Sequence, residues 1–484
     1  IFRILPIPFY RVVSPSYNAP PFAEPAQTAC GAGFPGAYID PNPLTSLDGN
    51  GHNYFRSENP YLLNSYAGFG EVYYQVASDV KLTGGLRWTD DNKHFDNIPS
   101  WTFTEGGGYP VTGIVDQHWS EVTGRFVANW TPKLDFTDQT LVYASYSRGY
   151  KGGGANPPPP IVSGVGSGNF VTHPPTFAPE FVNAFELGSK NALGDGSFTL
   201  NGDAFFYDYK GYQISQIVDR TSVNLNIDAS VKGAELESTW EPIPGLRFNF
   251  AGGWEVGSIK KGQSAIDLMD RTAGHTDWMI IHPSVADTSN CILPTDVVKQ
   301  ILNSGLGQAA NGFLLYFPSL NPCDAAYVNT LNPFFAGQNL QNIYGVTDFD
   351  PPTAPNNGEG FTKDLSGNEL PNTPHFTLSL GAQYTIPITA DWAATLRGDF
   401  YWQADSWARI FNDNPYDRIR GYTNLNLSLI LVDQNGWQAA GYVKNVFNTT
   451  AITGAFLNSD DTALTTNVFV TDPRLFGVRL TKNW

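Results

Sequence analysis

The stretch that decides the fold is the last one, "FGVRLTKNW", Phe476 to Trp484. Phe476, Val478, Leu480 and Trp484 fall on one side of a period-two pattern. Gly477, Arg479, Thr481 and Asn483 fall on the other. A strand with one apolar face and a free edge aggregates unless another strand pairs with it and something apolar covers it. The rest of the chain supplies both.

The same alternation recurs from end to end. In "VKLTGGLRWTDD", Leu82, Leu86 and Trp88 oppose Lys81, Thr83, Arg87 and Thr89. In "SEVTGRFVANW", Val122, Phe126, Ala128 and Trp130 oppose Glu121, Thr123, Arg125 and Asn129. "HFTLSLGAQYT" and "NLNLSLILV" repeat it, and strict alternation over so many segments is a β signal that helices do not imitate. About 14 strands are expected, near 1–13, 64–76, 79–96, 118–132, 139–152, 180–192, 196–217, 222–240, 245–261, 374–387, 391–411, 416–433, 436–450 and 467–484. Within 222–240 the apolar face jumps from Val231 to Ala234, which predicts a β-bulge at Lys232–Gly233.

Composition says what covers the apolar faces. Only 15% of residues are charged and 14% are aromatic, with 48 Gly, 23 Tyr, 32 Phe and 12 Trp. Mean hydropathy is −0.23, and no apolar run is long enough for a transmembrane helix. Segments apolar on one face only, rich in aromatics, fit an all-β transmembrane antiparallel β-barrel. Connection lengths agree, with short turns such as "ALGDG", "EPIPG" and "DQNG" alternating with connections that reach 262–373. Short turns on a periplasmic rim and long loops on the outer rim are the pattern of outer-membrane barrels. The net charge of −17 excludes nucleic acid as a partner.

Several stretches resemble, in order, the C-terminal barrel of TonB-dependent outer-membrane receptors. They are "GGLRWTDDNKHF", "LVYASYSRGYKGGG", "PEFVNAFELGSK", "GAELES", "LPNTPHFTLSLGAQYT", "YVKNVFN" and "DPRLFGVRLTKNW", spanning about 64 to 484. The resemblance implies a barrel of roughly 22 strands with a plugged lumen, of which this chain supplies about 14. No plug or TonB box is matched, so Ile1 is expected to lie inside a longer receptor, and 1–484 to be the C-terminal part of its barrel. It further implies a multi-pass protein of the bacterial outer membrane that imports a ferric siderophore or similar scarce nutrient. The implied partners are TonB acting through the plug, the barrel-assembly machinery, outer-membrane lipid and lipopolysaccharide, and a small-molecule chelate. In the family the terminal aromatic strand is read by that machinery, which gives Phe476, Val478, Leu480 and Trp484 the role of an assembly signal. Rival readings are a passive porin-type channel and a structural or adhesive barrel.

The residues nominate no catalytic group and no cofactor or metal site; a ferric chelate enters only as transported ligand. "GAGFPG" (Gly31 to Gly36) follows no strand and opens no helix, so its dinucleotide-site pattern carries nothing. The loop 262–373 is rich in apolar residues and reads as a folded extracellular cap. The oxidising exterior predicts a Cys291–Cys323 disulfide, with Cys30 left over or paired elsewhere. A ligand site is expected in the lumen, where strands 391–411 and 416–433 carry Tyr401, Gln403, Asp405, Trp407, Arg409, Arg418, Arg420 and Tyr422 in one row. Aromatic faces mixed with arginines suit a large, flat, partly anionic ligand.

Overall fold

The computed structural model describes residues 55–56, 60–97, 101–102, 107–108, 113–156, 161–162, 174–218, 221–282, 290–308, 322–327, 339–460 and 463–483. Thirteen strands form one antiparallel sheet in which each pairs with its neighbours in chain order. They are β1 (Tyr61–Ala77), β2 (Val80–Asn97), β3 (Gly113–Trp130), β4 (Gln139–Lys151), β5 (Glu180–Leu193), β6 (Phe198–Val218) and β7 (Thr221–Ile243). Then follow β8 (Leu246–Ile259), β9 (Phe376–Pro387), β10 (Trp392–Gln403), β11 (Tyr422–Asp433), β12 (Trp437–Lys444) and β13 (Leu475–Lys482). Among the described residues β1 and β13, at the two edges, do not pair with each other. The strand expected near 1–13, Cys30 and Trp484 lie outside the described residues.

Alternation puts the two kinds of side chain on opposite faces of this sheet, and the ladders keep them there from edge to edge. Phe126 lies opposite Gly84 and Tyr146, Phe250 opposite Leu380, Leu427 opposite Gly398 and Val443, and Val478 opposite Gly441. Leu82, Leu378 and these residues share the outward face, where Leu86, Phe126, Leu427 and Val478 are exposed to what would be lipid. Arg87, Arg125, Asn249, Gln383, Asn426 and Arg479 occupy the other face, the lumen wall. A one-residue slip anywhere would exchange the two sets, so the apolar face pins the register. Most short turns fall on one rim, the opposite rim carrying one short connection, between Val218 and Thr221. One of them needs glycine: Gly245 sits at φ 83°, and a Cβ there would come within 2.4 Å of the Thr385 carbonyl oxygen.

The strands are longer than a membrane requires. About 9–11 tilted residues cross the hydrocarbon, whereas β6 and β7 have 21 and 23. Their outer ends therefore stand clear of lipid, and this corrects the expected bulge. The β7 ladder runs unbroken through Lys232 and Gly233, opposite Phe206 and Phe205 on one side and Val256 and Glu255 on the other. The pattern changes because the environment does. Ala234, Leu236 and Trp240 face lipid, while higher up Val223, Ile227 and Ala229 are buried on the opposite face, against folded loop. The register shift lies instead in β6, between Tyr209 and Tyr212, where Gly211 takes φ 64°.

That loop is the connection from β8 to β9. Trp278–Ile281 pairs with Cys291–Pro294, and Ser264–Ile266 with Thr362–Asp364. Helix α1 (Thr295–Asn303) buries Val297, Val298 and Ile301, spaced to fall on one helical face. With Leu293, Leu340 and Val346 these side chains enclose Cys291 and Cys323, whose sulfurs are bonded at 2.00 Å with Cα atoms 5.8 Å apart. A second cluster joins Leu365 and Leu370 to Ile410 and Phe411. The roof thus rests on the outer end of β7 and on the connection between β10 and β11.

Two other elements differ from the expectation. The strands predicted over 391–411 and 416–433 stop at Gln403 and resume at Tyr422. Between them Ser406–Trp407 pairs with Arg418–Ile419 in a separate ribbon. Likewise Ile452–Leu457 and Thr466–Val470 form their own hairpin before β13 begins.

Candidate functional site

The lumen wall is polar and lined by a groove of about 390 Å³ across β6 to β11. Asn201, Glu237, Asn249, Arg397, Asp399 and Tyr401 are among the side chains on it. Arg397 donates through Nε to Asp399 at 2.9 Å and through Nη1 to Gln383 at 2.8 Å. Opposite, Gly381 leaves the Arg397 guanidinium room: a Cβ there would lie 3.1 Å from Nη2. Asn249 is held in turn by Thr239 at 3.1 Å.

Toward the outer end of this groove stand three of the nominated residues. Tyr401 and Tyr422, on β10 and β11, have ring centroids 6.0 Å apart at 54°, and the Tyr401 hydroxyl donates to Gln403 at 3.0 Å. Two rings facing one lumen, both with a polar tip, offer stacking area and hydrogen bonding together.

The rest of the nominated row separates, because its alternation assumed strands that end at Gln403. Trp407 lies in the ribbon opposite Arg418. Arg418 is exposed and paired with Asp405, whose carboxyl is held below its ordinary range by the Gly421 N–H and by Arg418. Arg420 is exposed. Arg409 is the correction. Its guanidinium is held, largely out of solvent, between Asp417, at 2.6 Å, and Asp267, at 2.8 Å, with the Met269 sulfur at 3.2 Å. A charge so enclosed by two carboxylates is spoken for, and it joins two loops instead of facing a ligand. Arg397 and Asp399 went unnominated although they share the alternation that selected Tyr401; in "LRGDFYWQ" all four odd positions face the lumen.

Phe476, Val478 and Leu480 project from the outward face of β13 and are 75%, 79% and 71% exposed.

An antiparallel wall with an aromatic outer face, a polar inner face, short turns on one rim and folded loops on the other has few homes. The family described as TonB dependent receptor-like, beta-barrel matches residues 17–278. The chain belongs to the TonB-dependent receptor family. Its members are outer-membrane β-barrel proteins, and the family is one of transporters. The backbone is similar to the ferric yersiniabactin uptake receptor FyuA from Yersinia pestis, at 15% identity and a TM-score of 0.54, over 88% of this chain and 46% of that one. It is also similar to the siderophore receptor PiuA from Acinetobacter baumannii, at 13% and 0.51, over 87% and 43%. A third is the copper transporter OprC, at 12% and 0.50, over 87% and 48%. This chain therefore spans less than half the length of each of these receptors. No curated protein sequence matches it.

Proposed function

We propose that the receptor containing this barrel imports a ferric siderophore or a similarly scarce metal chelate, drawing energy from TonB through an N-terminal plug. The observation that carries the ligand class is the Tyr401–Tyr422 pair at the outer end of the polar groove. A flat, polyoxygenated chelate needs ring faces to lie on and polar groups at its rim, and the Tyr401 hydroxyl and the Gln403 amide, bonded to each other, supply these. On this reading the described residues of the connection between β8 and β9, packed on the end of β7 and on the β10–β11 connection, stand on the side where ligand arrives.

The test uses the full receptor in a Gram-negative host lacking its own uptake systems. Tyr401→Ala with Tyr422→Ala should lower radio-iron chelate uptake about tenfold, the loss of two aromatic contacts worth about 0.5–1.5 kcal/mol each. Deleting TonB should abolish it. Unchanged uptake in the double variant moves the site to the roof, and uptake that survives without TonB replaces the reading with a passive channel. The same cells given copper instead of iron chelate separate the two cargoes for which the similar receptors are named.

A further inference from the structure

One junction in the wall parts before its strands end. β2 and β3 stay paired as far as Asn97 opposite Gly113, and β4 and β5 as far as Lys151 opposite Glu180. Between these two pairs, β3 and β4 share seven rungs, from Trp130 opposite Val142 to Gly124 opposite Arg148. β3 has 18 residues, so 11 remain, Gly113 to Thr123, and among the described residues no backbone bond joins them to β4. A strand crosses the hydrocarbon in about 9–11 residues, so the parting begins inside the outer part of the membrane. The outward side chains agree. Leu86 and Val122 beside the parting are exposed and apolar, and polar residues start just above them, where Trp88 Nε1 donates to Ser120 at 2.8 Å.

Above the parting the strands overlap. Lys93, Gln117 and Trp119 face inward by alternation, and all three meet the chain that follows β4. Lys93 Nζ donates to the Gly153 carbonyl, and Gln117 Nε2 to the Gly154 carbonyl at 3.2 Å. Lys93 also lies 5.2 Å over the Trp119 ring. The two layers touch so closely that a Cβ on Gly153 would come within 2.9 Å of that ring, and one on Gly152 within 3.3 Å of Lys93 Nζ. The inner face of β2 and β3 thus covers the end of β4, as a lap joint. Some cover is obligatory, because unpaired backbone at membrane depth must be buried in protein or line a watery cavity. This cover consists of side chains, and a junction held by a few side-chain bonds opens more readily than a backbone ladder.

We propose that this lap is a lateral portal between membrane and lumen, through which the acyl tail of an amphiphilic chelate passes. The proposal rests on the chelate reading above and narrows it to ligands that carry a tail. The two mouths select that chemistry. Outward, the parting opens among Leu86, Val122 and Tyr146, with the Arg148 guanidinium turned away onto the Phe181 ring, 4.7 Å off. Inward, it opens beside Arg125 and Ser147 on the polar lumen wall. A tail drawn into that lumen would lose its apolar surroundings, at a penalty that grows with every methylene. A wall that opens sideways lets the chelating head travel in water while the tail stays in hydrocarbon.

The full receptor is reconstituted in phosphatidylcholine liposomes, and two lumen-facing positions are compared: Ser147→Cys beside the lap and Ser428→Cys on β11. N-octadecylmaleimide, confined to the bilayer by its chain, should label the first about tenfold faster than the second, a barrier difference of about 1.4 kcal/mol, with the parent receptor as background. A water-soluble maleimide should label both alike. Equal rates with the bilayer-borne reagent overturn the portal. Lys93→Ala with Trp119→Ala loosens the lap and should raise the bilayer-borne rate at Ser147→Cys further; an unchanged rate also overturns it. Should that background block assembly, Lys93→Ala alone gives the same reading at smaller amplitude. In the uptake host, the loosened receptor should import an acyl-tailed ferric chelate faster and the same chelate without its tail at the parent rate. Equal effects on the two overturn the tail's route. Failure of the parent receptor to import either one overturns the chelate reading instead, and the labelling then decides the portal by itself.

Discussion

Arg271 and Asp460 stand 189 residues apart and meet at 2.5 Å, their side chains 0% and 2% exposed. Asp460 also accepts from the Asn290 backbone and side-chain nitrogens, each at 3.0 Å, and Arg271 donates to the Glu359 carbonyl at 2.8 Å. One buried pair thus ties the roof to the connection that precedes β13, as Arg409 ties it to the connection that precedes β11. Both ties lie above the barrel, so they govern the roof and leave the wall alone.

Removing one member leaves the other charged in a dry site. Asp460→Ala should cost the roof about 3–5 kcal/mol. Amide exchange followed by mass spectrometry reads this locally: segments 264–282 and 290–303 should exchange faster, and β2 to β8 should not change. Exchange unaltered in the roof would show the pair to be dispensable.

The two arginines nominated as ligand contacts should behave differently. Arg409→Ala uncovers Asp267 and Asp417 and should loosen the roof on the same ~3–5 kcal/mol scale. Arg418, 58% exposed against Asp405, should contribute less than about 1 kcal/mol when replaced by alanine. Protease susceptibility of intact cells, comparing the two single variants, checks the order. Equal susceptibility would count against the enclosure of Arg409 by the two carboxylates.

Cys291 and Cys323 are 32 positions apart. In the chain-entropy model a bridge over a loop of that size stabilises by about 3–4 kcal/mol. Because the closed loop lies wholly within the roof, reduction or the double serine variant should speed proteolysis there and leave heat-resistant barrel migration on gels as it was. A drop in barrel resistance would place the disulfide's effect in the wall instead.

Burial pushes the Glu359 carboxyl up to about 7, with Arg271 opposing and Asp460 adding to the rise. Its ordinary value is 4.5, so between that and about 7 the folded roof holds a proton that the unfolded roof does not. Stability must then fall as pH rises through this window and level off above it, by at most about 3 kcal/mol. Glu359→Gln should flatten the slope. Roof opening measured by exchange, corrected for intrinsic rate, from pH 5 to pH 8 checks it; parallel slopes in variant and parent would remove Glu359 as the cause.

Much of this protein is legible one residue at a time. Alternation alone located β1 through β13 to within a few positions at most ends, separated Phe126 and Leu427 from Arg125 and Asn426, and showed which rim carries most of the short turns. These are local consequences of a period of two beside lipid on one side and water on the other, and any strand shows them without reference to the rest of the chain. Tyr401, Gln403 and Tyr422 came from the same source because they stand inside regular strand. What lay beyond local pattern was decided by tertiary contact. Val223, Ile227 and Ala229 face inward because the described residues of the connection between β8 and β9 cover them, so the apolar phase reversed with no bulge in β7. Arg409 sits between carboxylates from two different connections, and Arg271 against one 189 residues away. No spacing announces such partners, since an ion pair between distant loops leaves no periodic trace and exists only once the chain has brought both charges out of water together.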